Sequence, residues 1–243
     1  MHIIGITNNK GGVGKTTIAV NLSSWLARKH KVLLIDTDSQ SSASLSLGLA
    51  RTPGLTIADV LLNNESIKDA IRNTKIKNLD IIIAHKDISL FDQRFANDPD
   101  KNIKLKQQVS KVKDLYDYIL IDSAPSLNLL NVNVLTSADK LIIPVTPDYL
   151  SLEGLGLLMN LIDPKEPYRI LLSMVDHRLR ITEEVITFIR KQFKDKVFYT
   201  EIRQNVKLKE APSYYQSIFD YDSQSAGADC FERLGREVMR WLG

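Results

Sequence analysis

The run Lys10–Gly11–Gly12–Val13–Gly14–Lys15–Thr16–Thr17 is the feature that most narrows what this chain can fold into. It follows a short apolar stretch (residues 3–7) and opens a longer one with helical spacing (residues 16–28), so it reads as a turn from a strand into a helix. Glycines at such a turn let the backbone curl until its N–H groups converge on phosphate oxygens, a shape that a β-carbon obstructs. The helix that follows adds the partial positive charge of its N-terminus. In this setting Lys15 reaches the β- and γ-phosphates of a nucleotide, and the Thr16 hydroxyl ligates Mg²⁺. The pattern departs from the common phosphate loop: Asn9 holds the place of the first glycine, and Lys10 precedes the glycine pair.

Beyond the loop, short runs rich in Ile, Leu and Val at 32–36, 79–84, 118–122, 141–145 and 170–175 look like buried parallel strands. Helical stretches at 152–162, 183–193 and 227–242 alternate with them. Strand alternating with helix predicts a doubly wound α/β fold, a mostly parallel sheet flanked by helices, built as one domain over 1–243. Residues 87–104 are polar and read as a surface excursion, and Thr52–Pro53–Gly54 as a turn.

Ligands of such sheets sit beyond the carboxyl ends of the strands. Three carboxylates fall there. Asp36 and Asp38 close one strand and share a face if the strand continues. Asp122 ends the run Tyr118–Ile119–Leu120–Ile121, which with a phosphate loop upstream reads as a Walker B strand whose aspartate holds Mg²⁺ through water.

Composition excludes more than it selects. With 32 basic and 29 acidic residues the chain is only mildly basic, so any nucleic-acid surface must come from local clustering. The single cysteine, Cys230, excludes an internal disulfide and a thiolate metal cluster, and suits a reducing compartment. Neither a secretory leader nor a run of about 20 apolar residues is visible, which predicts a cytoplasmic protein.

The loop with its early lysine resembles the deviant phosphate loop of the ParA/MinD ATPases. The resemblance continues through Asp36–Thr37–Asp38–Ser39–Gln40, through Asp122–Ser123–Ala124–Pro125–Ser126 and through Asn205–Val206–Lys207–Leu208–Lys209–Glu210–Ala211–Pro212–Ser213, and so covers nearly the whole chain. It implies an ATPase using ATP and Mg²⁺, enclosed in a homodimer that forms on ATP binding. Lys10 would cross to the partner's ATP, Asp38 would position or activate the attacking water, and Asp36 would support the magnesium site or that water. Residues 10–17 would hold the phosphates. Asn205 would lie near the adenine, with Met174 and Asp176 as further candidates for the base pocket. Ser39, Ala124, Arg203 and Gln204 depart from the family's usual residues.

The resemblance also implies non-specific DNA binding by a basic surface. Residues 178–209 hold nine basic against four acidic residues, with Arg178, Arg180, Arg190, Lys191, Arg203, Lys207 and Lys209 as candidates. A ParB-like protein would then stimulate slow hydrolysis, and the ATP form would sit on the nucleoid while a cargo is segregated. Two alternatives stay open: a ParA-like ATPase positioning a protein cargo such as carboxysomes or chemoreceptor arrays, and a MinD-like membrane-associated ATPase. For the latter, Phe231, Leu234, Val238, Trp241 and Leu242 recur at helical spacing, but Glu232 and Glu237 interrupt the basic face, so a packed terminal helix is expected and no stable membrane association.

Overall fold

A computed structural model describes residues 1–162 and 167–243. Its centre is one eight-stranded sheet in the order β3-β4-β2-β5-β1-β6-β7-β8. The strands are β1 (His2–Ile6), β2 (Val32–Asp36), β3 (Ile71–Asn73), β4 (Leu79–Ile82), β5 (Tyr118–Asp122), β6 (Lys140–Val145), β7 (Tyr168–Val175) and β8 (Ile202–Arg203). All pair in parallel except β3, which runs antiparallel to β4 at one edge. The doubly wound sheet expected from the sequence is therefore present, with two short edge strands added. Neither had a readable signal: β3 has three residues, all half-exposed or exposed, and β8 is only two residues long, Ile202 buried and Arg203 exposed.

The helices are α1 (Lys15–Ala27), α2 (Ser42–Ser46), α3 (Ile57–Leu62), α4 (Phe91–Phe95), α5 (Lys104–Val109), α6 (Leu129–Ser137), α7 (Tyr149–Met159), α8 (Arg180–Phe193), α9 (Val206–Glu210), α10 (Ile218–Tyr221) and α11 (Ala226–Leu242). Because side chains alternate across a strand, even-numbered Ile4, Leu34 and Leu120 pack beneath α1 and α11. Odd-numbered Ile3, Leu33 and Ile119 face α3 to α6, and Leu141, Ile143 and Ile170 continue that side beneath α7 and α8. Burial on both faces explains why the strands read as unbroken apolar runs.

Two expectations need correction. Residues 87–104 are no mere excursion: Ile88 and Phe91 are fully buried, and Asp92 accepts the backbone N–H groups of Leu129 and Leu130 at the start of α6. Two apolar anchors in a polar stretch are enough to seat it. The helix expected at 152–162 starts three residues earlier, because Asp148 caps it by accepting the Ser151 N–H at 2.9 Å. The terminal helix is packed as expected, with Phe231, Leu234, Val238 and Leu242 buried in the core. Among the described residues no helix is long and apolar enough to cross a membrane.

Candidate nucleotide site

The loop between β1 and α1 is held by its own backbone and by neighbouring strands. Asn8 donates from its amide to the Pro144 carbonyl at 2.6 Å and accepts the Lys10 N–H at 2.9 Å. Gly12 and Gly14 adopt φ of +75° and +85°, a region that glycine enters without strain. Val13 is buried, and its carbonyl accepts the Ser173 hydroxyl at 2.7 Å, tying the loop to β7. Gly14 then leads into α1, whose first N–H groups receive no side-chain cap. That leaves the orphan donors of the helix end available to an anion.

Lys15 arcs back over the loop and donates to the Lys10 carbonyl at 2.9 Å. It is almost fully buried. Burial lowers its pKa, against the opposing pull of Asp122 and Asp38. Thr16 Oγ1 donates to Asp122 Oδ2 at 2.8 Å. The other oxygen, Asp122 Oδ1, is buried with no partner among the described residues. A carboxylate with one lone oxygen beside a threonine hydroxyl is what a hydrated Mg²⁺ requires, so the residues present fit that ion. Burial and the neighbouring Asp36 raise the Asp122 pKa well above its ordinary value, Thr16 and Lys15 opposing.

Asp36 stands beside Asp122 because β2 and β5 pair in parallel register. Its own contacts run to the neighbouring loop. Oδ1 accepts the Asp38 N–H at 3.0 Å, and Oδ2 accepts both the N–H and the hydroxyl of Ser44, at 2.9 and 2.7 Å. Both oxygens are thus engaged in shaping the loop from β2 to α2, and burial lifts the carboxyl pKa to about 6. That loop carries Asp38, whose Oδ1 accepts the Gln40 N–H at 2.9 Å. Asp38 Oδ2 has no hydrogen-bond donor among the described residues, so one oxygen is free for a ligand.

Lys10 lies in a clamp that the sequence did not disclose. Its ammonium donates to both oxygens of Asp148, at 2.8 and 2.9 Å, and to Ser151 Oγ at 2.8 Å, all within the same chain. Thr146 Oγ1 reaches Asp148 as well, at 2.6 Å. Partial burial alone would raise the Asp148 pKa, but hydrogen bonds from Lys10, Thr146 and Ser151 bring it down to about 2.

Beside the loop a cavity of about 280 Å³ opens between Gly14, Thr17, Met174, Asn205, Leu208 and Pro212. It gathers the expected Thr17, Met174 and Asn205 in one place. Met174 sits at an irregularity in the β7–β8 pairing and has a φ of +52°. Asn205 also caps α9, its Oδ1 accepting the Leu208 N–H at 3.3 Å. Asp176 is absent from the cavity wall and pairs with Arg178 instead.

The seven basic candidates are not one open surface. Arg178 is bound by both oxygens of Asp176, Arg180 pairs with Glu184 at 2.9 Å, and Lys207 with Glu210 at 3.2 Å. Arg190 is structural: it donates to the Phe198 and Tyr199 carbonyls and pairs with Glu201 at 2.9 Å. Lys191, Arg203 and Lys209 remain exposed. Asp176 and Glu210 lie just outside the 178–209 segment, so its excess charge is smaller in space than it looked along the chain.

A glycine loop between a strand and a helix, with its lysine folded over it and a buried aspartate on the adjacent strand, defines a phosphate-loop nucleotide-binding fold. The model of an AAA-domain family matches residues 1–208. The chromosome-partitioning ATPase Soj of Treponema pallidum is 42% identical, over 96% of this chain and 94% of its own length. The sporulation initiation inhibitor protein Soj of Bacillus subtilis is 39% identical over 97% of each. Among solved structures, the septum site-determining protein MinD of Pyrococcus horikoshii, complexed with Mg-ADP, superposes with a TM-score of 0.82 at 26% identity, over all of this chain and 97% of that one. The chain belongs to the Soj/ParA family of phosphate-loop ATPases.

Proposed function

We propose that residues 1–243 act as one ATP-switched unit that dimerises around ATP, grips DNA without sequence preference and positions a cargo. The observation that carries the nucleotide part is Asp122 Oδ1, buried without a partner beside Thr16 and within the reach of Lys15 charge. Thr16 and Asp122 would hold a hydrated Mg²⁺, whose charge offsets that of the β- and γ-phosphates. Residues 10–17 orient the triphosphate with backbone N–H groups and the Lys15 ammonium. Thr17, Met174 and Asn205 enclose the base. Asp38 holds the attacking water at its free oxygen and accepts its proton, while Asp36 and Ser44 keep Asp38 in place.

Lys10 would leave Asp148 and insert into the partner's site, making the dimer depend on ATP and supplying charge to the transition state. A ParB-like protein would stimulate slow turnover, and the ATP form would be cytoplasmic and nucleoid-bound. The relatives' partitioning names favour plasmid or chromosome DNA as cargo over a protein assembly. Burial of the apolar face of α11 argues against a membrane anchor.

Light scattering of the purified protein with Mg²⁺ and a non-hydrolysable ATP analogue tests the core of this reading. A dimer is expected for wild type, and a nucleotide-bound monomer for Lys10→Ala. Lys15→Ala should bind no nucleotide. A wild type that stays monomeric when saturated with the analogue removes the switch.

A further inference from the structure

Tyr215 holds a φ of +57° and a ψ of +40°, in the left-handed region, and among the described residues it is the only aromatic residue there. Glycine enters that region freely, while a bulky side chain is strained in it. The turn that imposes it is closed by two backbone bonds. The Tyr215 N–H donates to the Pro212 carbonyl at 3.1 Å, and the Gln216 N–H to the Ala211 carbonyl at 3.2 Å, ending the 3₁₀ turn Ala211–Tyr214.

What the strained turn secures is a contact with α2. Gly48 lies just beyond that helix, and its N–H donates to the Leu45 carbonyl at 2.9 Å. A β-carbon at Gly48 would lie 3.1 Å from both Cβ and Cγ of Tyr215 and 3.5 Å from Cδ1, so the ring rests on bare backbone. From this contact two chains of structure lead to the nucleotide site. On one side, α2 carries Ser44, which holds Asp36, and Asp36 accepts the Asp38 N–H. On the other, Tyr215 follows Leu208 and Pro212, which line the cavity beside the phosphate loop. That segment is fixed to α1, because the buried Asn21 accepts the Ile218 N–H at 2.7 Å and donates to the Thr17 carbonyl at 2.8 Å. The ring therefore stands between an anchored cavity wall and the helix that shapes the acid loop.

We propose that Tyr215 is a positioning residue for ATP hydrolysis, whose ring braces the end of α2 so that Ser44, Asp36 and Asp38 stay aligned with the phosphates. The inference rests on the ATPase reading above and extends it to a residue outside the cavity wall. A helix of five residues has little stability of its own and takes its place from what packs on it. Without the ring the last turn of α2 loses that support, and a shift at Ser44 reaches Asp38 through the Asp36 carboxylate. Misplacing a reacting group by about 1 Å costs about 10²-fold in rate, so a fraction of that shift costs severalfold. Nucleotide affinity is set elsewhere, by the phosphate loop and the cavity wall.

The test pairs single-turnover hydrolysis of ATP with Mg²⁺ and calorimetry with a non-hydrolysable ATP analogue, both on the full chain. Tyr215→Gly relieves the strain while removing the ring, so its melting temperature should stay within about 4 °C of wild type. Its turnover should fall about three- to tenfold while the Kd of the analogue changes by less than about twofold. Tyr215→Asn, which tolerates the left-handed turn and lacks the ring, should behave the same way. Tyr215→Phe should match wild type, because the ring and not the hydroxyl meets Gly48. In a Ser44→Ala background, removing the ring should cost less than about a further twofold, since both changes act on one network. Wild-type turnover in both ring-less variants overturns the inference. So does a loss of turnover matched by weaker analogue binding, or a full further loss in the Ser44→Ala background. A wild type that binds the analogue but hydrolyses no ATP removes the ATPase reading itself, and this inference with it.

Discussion

Lys10 and Asp148 form a two-oxygen ion pair within one chain, at 2.8 and 2.9 Å, between the phosphate loop and the N-terminus of α7. The same ammonium cannot reach a partner's triphosphate while it is held there, so the dimer proposed above would have to break the pair. Asp148→Asn keeps the cap on α7 but gives up the charge. Both side chains are about a third or more exposed, so the pair is worth at most about 1 kcal/mol. Sedimentation velocity with the ATP analogue should show the dimer of this variant forming at protein concentrations about two- to fivefold lower than wild type. An unchanged midpoint would mean that the clamp does not restrain Lys10.

Asp36 gives the nucleotide-free protein a pH dependence with a definite sign. Its folded pKa, near 6, lies above the unfolded value of 3.8, so the folded state holds the proton more tightly. Its stabilising contribution is therefore fully present below about pH 4 and is lost as the pH rises through about 6. Chemical denaturation of wild type and Asp36→Asn at intervals from pH 4 to 7 checks this. The decline with rising pH should be shallower in the variant, and parallel curves would assign the titration elsewhere.

Ser44 is the main hydrogen-bond partner of that carboxylate, and its hydroxyl also accepts the Ala84 N–H at 3.1 Å. Ser44→Ala leaves both buried groups short of a partner and should cost about 1–3 kcal/mol in urea unfolding. Turnover should fall as well, because the same network positions Asp38. A variant as stable as wild type would show that water replaces the hydroxyl.

Gly235 is where α11 crosses α1. A β-carbon there would lie 2.2 and 2.3 Å from ring atoms of Trp25. Alanine normally favours a helix over glycine by about 1 kcal/mol, but overpacking costs about 1–3 kcal/mol. Gly235→Ala should thus lower the melting temperature, and Trp25→Ala in the same chain should reverse the sign of its effect. Equal effects in both backgrounds would place the strain elsewhere.

Met174 separates backbone strain from ligand contact. Its φ of +52° strains any residue with a β-carbon. Met174→Gly should be more stable than Met174→Ala by about 1 kcal/mol. Calorimetry should nonetheless find both weaker in ATP binding than wild type, because each removes the same wall of the cavity proposed to enclose the base. If Met174→Ala is the more stable of the two, the positive φ is not costly.

The parts legible in the sequence were those whose information is local. Glycines at 11, 12 and 14 with lysine at 15 need only their own order to specify a phosphate loop, and Asp36 and Asp122 were placed by the apolar runs they end. Phe91 and Ile88 were misjudged because the scattered apolar residues of 87–104 follow no helical or strand period, although these two are fully buried. The ion pairs inside the 178–209 cluster were hidden for a related reason. Counting charges along the chain cannot see that Arg178 turns back to Asp176, or that Arg190 crosses to Glu201.

From the order of its residues alone, this chain determined its alternating α/β sheet, its phosphate-binding loop and the strand ends that carry carboxylates. Backbone geometry, side-chain alternation and glycine's freedom at positive φ operate over a few neighbouring residues. Only the tertiary structure decided that Lys10 rests on Asp148, that Asp36 serves Ser44 and Asp38, and that Arg190 is neutralised by Glu201. Each of these depends on which charged or polar groups lie within a few ångströms, and that is settled when the sheet brings distant segments together.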